Sequence, residues 1–252
     1  CLMNKNGTSS PLPQHPLAQS FLLHVTPGAL TTVVFIAFKP IFDGSGYPPL
    51  LAFLLAILFV DVPVLLGIML FEGKKLNGRL SLKGVVLYQE KISWGMFALV
   101  FIGAFVVVFL LITLITPINA FLTERLFSGL PKWMFLEEQS QYLAYAEGAL
   151  VVTFTFQLVV TGIILPWIEE LYFRGYLLPR ISRYGVWSPL IGGLFFGLYH
   201  AWQLFGFLTV FLLGTILGYI VLWKRDVRLS IGLHVVANAF ARLAFLMAAL
   251  SM

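Results

Sequence analysis

Residues 148–178 read GALVVTFTFQLVVTGIILPWIEELYFRGYLL, an apolar run of membrane length broken by Glu169, Glu170 and Arg174. A bilayer core takes about 20 apolar residues of helix, so this stretch is long enough to cross it. Charged groups at that depth are costly and persist where they pair, line a water-filled cavity or do chemistry. The run therefore predicts both a membrane helix and a buried polar site.

The rest of the chain agrees. Of its 252 residues, 60% are hydrophobic and 11% charged, 24 are Phe, and the mean hydropathy is +0.94. A soluble domain is nearer a quarter charged. Apolar runs fall at 21–42, 49–71, 93–122, 148–178, 188–203, 204–223 and 230–251. The expected architecture is all-α, a polytopic bundle of about seven transmembrane helices. A polar segment, 1–20, precedes a single embedded domain, 21–252, with the chemistry-bearing residues in 148–240. The first run is interrupted by His24 and Pro27, and Pro117 is placed to bend the long third one. The net charge of +5 is spread through short loops, which excludes a nucleic-acid patch. One cysteine, Cys1, excludes an intrachain disulfide framework. A first residue of Cys suggests a processed or truncated chain, a lipidated N-terminal Cys is disfavoured by topology, and no cleavable signal peptide is visible.

Lys and Arg concentrate on cytoplasmic loops. Here they lie in 72–92 (Lys74, Lys75, Arg79, Lys83, Lys91), 179–187 (Arg180, Arg183) and 224–229 (Lys224, Arg225, Arg228). Alternation with the poorer loops predicts a cytoplasmic N-terminus and an external C-terminus. The stretch from Trp133 to Glu147, which includes Glu137 and Glu138, reads as a short interfacial helix. Gly193-x-x-x-Gly197 and Gly214-x-x-x-Gly218 predict close packing of the fifth and sixth runs.

Three constellations carry the candidate chemistry. Glu170 and Arg174, four apart on a helix, share a face and form a supporting pair. Glu169 points about 100° away and is left to act as a base on water. His200 follows Phe196 by four, at a depth on the fifth run that matches Glu170 on the fourth. His234 and Asn238, again four apart, suit holding an oxyanion or orienting a carbonyl. Arg242 extends that stripe by one turn and reads as a structural or headgroup contact. Asp61 and His24 read as buried hydrogen-bonding groups. Two His and one Glu can bind zinc with an open position for water, but no H-E-x-x-H pair is present. No G-x-S-x-G elbow points to a serine triad.

Glu169-Glu170-Leu171-Tyr172-Phe173-Arg174, Phe196-Gly197-Leu198-Tyr199-His200 and His234-Val235-Val236-Ala237-Asn238, in this order on separate helices, resemble the CAAX-protease and bacteriocin-processing family of membrane endopeptidases. That family includes the type II CAAX prenyl endopeptidases, and the resemblance covers about residues 148–240. It implies an intramembrane protease that works without a metal or other cofactor. Glu169 and His200 would generate the nucleophilic water, His234 and Asn238 would stabilise the tetrahedral intermediate, and Glu170 and Arg174 would support the site. The implied partners are the bilayer and a peptide or membrane-protein substrate, with or without a lipid modification. Hydrolysis is expected at the cytoplasmic side of the cytoplasmic membrane of a prokaryote. A non-catalytic binding, immunity or scaffold protein of the same fold is the alternative. A proton- or ion-coupled transporter is the third reading, against which no paired repeat is visible.

Overall fold

The computed structural model describes residues 2–3, 9–10, 12–136 and 139–251. Cys1, Glu137 and Glu138, on which expectations were placed, lie outside the described residues. Seven helices form the bundle: α1 (Leu17–Phe42), α2 (Pro49–Asn77), α3 (Trp94–Leu126), α4 (Glu147–Arg180), α5 (Ser188–Tyr199), α6 (Phe207–Lys224) and α7 (Val227–Leu250). Leu2–Met3 pairs with Ser9–Ser10 as a two-residue antiparallel ladder. Six stretches are long and apolar enough to span a bilayer, the sixth helix being extended by the turn from Ala201. The protein is an integral membrane protein.

The fifth apolar run is the exception. It was read as spanning 188–203, but its helix has 12 residues and ends at His200, whose ψ of 49° is non-helical. At 1.5 Å per residue α5 rises only about 18 Å, roughly half of a bilayer with its headgroups. It therefore stops at depth, and the chain returns through the irregular turn Ala201–Gly206 into α6. Irregular backbone at membrane depth is tolerated where it is buried in protein or lines a cavity. The segment expected to be one interfacial helix instead forms two 3₁₀ turns, Lys132–Met134 and Gln139–Ala144.

Prolines shape the helices without ending them. α1 runs unbroken through Pro27, which has no N–H to offer the Leu23 carbonyl one turn back. The Tyr172 hydroxyl of α4 donates to that carbonyl instead, at 2.8 Å. Three π-helical turns, Ile57–Asp61, Val160–Ile164 and Glu170–Leu177, each lie just before Pro63, Pro166 or Pro179. The wider turn makes room for the ring while i→i+5 bonds keep the backbone paired. Near Pro179 the Gly175 carbonyl is taken up by the Leu87 N–H at 2.8 Å.

The basic connections meet at one end of the bundle. Val227 N donates to Tyr88 O and Glu90 N to Arg225 O, while Arg180 reaches Val85 O at 3.1 Å. His15 N bonds Arg180 O at 2.8 Å, which ties down the approach to α1. Burial, followed by the charge of Arg180, pushes the His15 imidazole down to about 4, so it adds no positive charge there at neutral pH. Asp226 caps α7, accepting from the Arg228 N–H at 3.0 Å and from its guanidinium. That cap sets the start of the helix that carries His234 and Asn238.

Close packing of α5 on α6 rests on glycine, as the spacing predicted. A Cβ on Gly193 would collide with the Thr215 side chain and backbone. One on Gly214 would press on Phe196, the Arg174 guanidinium and the Gly193 backbone. α3 lies at the rim with Trp94, Leu99, Ile102, Phe109 and Leu114 exposed, a face suited to lipid tails.

Candidate active site

Two π-helical turns flank Glu169, so the helix presents its carboxylates in a geometry that a plain 3.6-residue period does not give. Glu169, Glu170 and Arg174 are at most 3% exposed. Arg174 Nη1 donates to Glu170 Oε1 at 2.8 Å, and Nη2 donates to Gly214 O at 3.1 Å. The guanidinium also lies over the Phe196 ring, 4.2 Å from its centre. A buried charge needs this degree of compensation, because an ion pair alone does not repay its desolvation.

Both histidines have one ring nitrogen occupied and the other turned inward. His200 Nδ1 donates to Phe196 O at 2.8 Å. That carbonyl is available because α5 ends there, with the His200 N–H bonded to Gly197 O instead. The spacing Phe-x-x-x-His thus puts the histidine over a carbonyl freed at its own helix end. His234 Nδ1 donates to Glu170 Oε1 at 2.8 Å. With Nδ1 donating to a carbonyl, the neutral His200 ring carries its lone pair on Nε2. His200 Nε2 is 3.8 Å from Glu169 Oε1, and His234 Nε2 is 3.8 Å from Glu169 Oε2. One carboxylate therefore sits between two imidazole Nε2 atoms.

A separation of 3.8 Å is too long for a hydrogen bond and short enough for a water held by both groups. Two ligands of one tetrahedral zinc, each 2.0–2.1 Å from it, would lie closer, at about 3.4 Å. Among the described residues no group of three or more His, Cys, Asp or Glu is arranged to hold a metal ion.

These groups open onto a cavity of about 580 Å³. Its lining includes Glu169, His200, His234 and Asn238, together with Leu54, Trp202 and Leu213. Asn238 Nδ2 donates to Thr161 O at 3.3 Å. In the π register, where Leu165 N bonds Val160 O, Thr161 O would await the missing N–H of Pro166. Arg242 lines the same cavity one turn beyond Asn238. The lining continues to Thr123, Met134, Leu136 and Phe205, at the end of the bundle opposite the basic loops.

The structure thus brings together all six residues singled out from the sequence: Glu169, Glu170, Arg174, His200, His234 and Asn238. His24 donates to Ser20 O at 2.7 Å and packs on Phe173 and Phe195, away from the cavity. Two site neighbours escaped the motif reading. Tyr199 bridges from the end of α5 to Asp61 of α2, and both are fully buried. The available signal was a lone acid in mid-span and a tyrosine next to the motif histidine.

Residues 151–240 match the family described as type II CAAX prenyl endopeptidase Rce1-like. No curated protein and no solved structure matches the chain. The matched stretch holds α5, α6 and most of α4 and α7, with Glu169, Glu170, Arg174, His200, His234 and Asn238 all inside it, and over these residues the chain is similar to the type II CAAX prenyl endopeptidase Rce1-like family.

Proposed function

We propose that the protein is an intramembrane endopeptidase that hydrolyses a peptide bond with a water activated by Glu169 and His200. The observation that carries this is Glu169 itself, buried between two imidazoles whose Nε2 atoms face its two oxygens at 3.8 Å. A water there donates one hydrogen to the carboxylate and the other to His200 Nε2, leaving an oxygen lone pair free for attack. Glu169 takes the proton as the water oxygen bonds to the scissile carbonyl carbon. The new oxyanion is received by the Asn238 amide N–H and by His234. Glu170 holds the His234 ring through Nδ1, which turns its Nε2 towards the reacting centre. Collapse of the intermediate breaks the C–N bond, and the proton on Glu169 goes to the leaving amine. Glu170 and Arg174 hold His234 and the helix in place. No step calls on a metal.

The family name points to a peptide with a prenylated cysteine as one substrate class. The test is cleavage of a quenched peptide library, with and without a farnesyl cysteine, by purified protein in nanodiscs, with and without chelator. Cleavage that survives chelation supports the reading. Loss of cleavage with chelator, restored by zinc, overturns the metal-free mechanism. No cleavage of any peptide by a folded protein that still binds them favours the non-catalytic binding protein.

The charge distribution supports one orientation. With the 72–92, 179–187 and 224–229 connections cytoplasmic, the N-terminus is also cytoplasmic and the cavity opens towards the outer half of the membrane. Single cysteines replacing Ser45 or Ser128, with Cys1→Ser as background, should react with a membrane-impermeant maleimide on intact cells. Ser81→Cys should react only after lysis. The reverse pattern would invert the topology and restore a cytoplasmic mouth.

A further inference from the structure

Asp61 is a carboxyl group inside the second span with no basic residue beside it, and it lies next to the candidate base. It ends the π-helical turn Ile57–Asp61 and is fully buried. The Tyr199 hydroxyl donates to its Oδ2. The same Tyr199 hydroxyl lies beside the Glu169 carboxyl. One Asp61 oxygen, Oδ1, and one Glu169 oxygen, Oε1, are buried without a hydrogen-bond partner.

Packing holds this file in place. The Tyr199 ring is 0% exposed and stacks among Phe173, Phe196 and Trp202. Its backbone carbonyl lies against Gly28 of α1, where any Cβ would overlap it. α1 and α2 therefore contribute to the site although the three motifs lie on α4, α5 and α7. A purely structural tyrosine in an apolar bundle has no need of two carboxyl groups. Two carboxylates so close, in apolar surroundings, cannot cheaply both carry charge.

A phenol has one proton and one acceptor oxygen. When that proton goes to Asp61, the phenol oxygen can bond Glu169 only if Glu169 supplies a hydrogen. We propose that Asp61, Tyr199 and Glu169 form a proton relay in which one proton is shared between two carboxyl ends, with Asp61 and Tyr199 as positioning residues that ready Glu169 for the attack on water. In the transfer, the Glu169 carboxyl O–H gives its proton to the Tyr199 oxygen as the Tyr199 O–H gives its proton to the Asp61 carboxylate. Charge and protons balance, and no ion leaves for the lipid. Glu169 is then an anion facing the two histidines, and Asp61 is a neutral acid. The transfer reverses when the products depart. This inference rests on the reading of Glu169 as the base.

The test compares wild type, Asp61→Asn, Tyr199→Phe and the double variant in nanodiscs, using a peptide that wild type cleaves. Each single change should lower kcat by about 10- to 100-fold, within the range of general acid–base effects, and leave KM within about 2-fold. The double variant should be no slower than the slower single one, because either change cuts the same file. Unchanged kcat, a loss confined to KM, or multiplying losses would overturn the relay. Should Asp61→Asn fail to fold, Tyr199→Phe alone answers. An infrared measurement needs no turnover: wild type should show a protonated-carboxyl band that Tyr199→Phe displaces. A missing or unmoved band overturns the relay even if the protein cleaves peptides. A wild type that cleaves nothing yet shows the displaced band keeps the shared proton and defeats only the protease reading.

Discussion

Glu169→Gln is expected to lower peptide cleavage by about 10²–10⁴-fold, or about 3–5 kcal/mol in the barrier, while the protein folds normally. Glutamine matches glutamate in shape, so the cavity keeps its size, and what is lost is a site to receive the proton from water. The fold should be indifferent because Glu169 makes no ion pair with Arg174, and its Oε1 is buried without a hydrogen-bond partner. Replacing such a group with a neutral one removes a desolvation cost. A thermal melt equal to or above that of wild type is therefore expected alongside the lost turnover. Peptide binding should persist, since Glu169 occupies only one point on a cavity of about 580 Å³. A purified Glu169→Gln variant that still turned over substrate would remove the proposed base. His200→Ala should behave similarly, with some loss of stability where Phe196 O loses its donor.

Arg174→Ala acts on the opposite property. Arg174 meets Glu170, Gly214 O and the Phe196 ring at once, and it is 3% exposed. Its removal leaves Glu170 buried with His234 as its remaining partner. Breaking one side of a buried pair typically costs about 3–5 kcal/mol, enough to unfold or lower the yield of many proteins. Arg174→Lys should not rescue it, because one ammonium cannot supply two divergent N–H donors and a flat face for Phe196. The double change Glu170→Gln with Arg174→Met removes both charges and should recover much of the thermal stability. It should not recover cleavage, because His234 then has no carboxylate at Nδ1. Thermal denaturation in detergent checks the first pair of outcomes and peptide turnover the last. A double variant as unstable as Arg174→Ala would mean that the pair is not what stabilises this region.

What could be read along the chain was whatever depends on near neighbours. Membrane runs, the Glu170–Arg174 contact at i, i+4 and the glycine spacing of α5 and α6 follow from composition and helical period, and the structure has them. Motif order was legible for the same reason: three short patterns each mark a single helix. Counting residues from the turn puts Glu170 and His200 at similar depth, because α4 and α5 are antiparallel and joined by a short connection, and in the structure His200 lies 3.8 Å from the adjacent Glu169.

Other features depend on where groups from distant helices meet. The length of α5 is one case: the apolar run continues past His200, and only the packing of Tyr199 against Gly28 and Trp202 shows where the helix ends. The π turns are another. A proline announces a break in pairing, but whether the helix kinks, ends or widens depends on who supplies the missing donor, such as Tyr172 for Leu23 O. The side on which the cavity lies, away from the basic loops, was also invisible, since residue order carries no record of empty space.

The sequence by itself determined the membrane setting, the helical class and the residue types at the site, because hydrophobicity and the 3.6-residue repeat act locally. Tertiary structure alone decided that one carboxylate would stand between two imidazoles and that Asp61 would reach it through Tyr199. Those contacts join residues 31 to 138 positions apart along the chain, where no local periodicity constrains the distance.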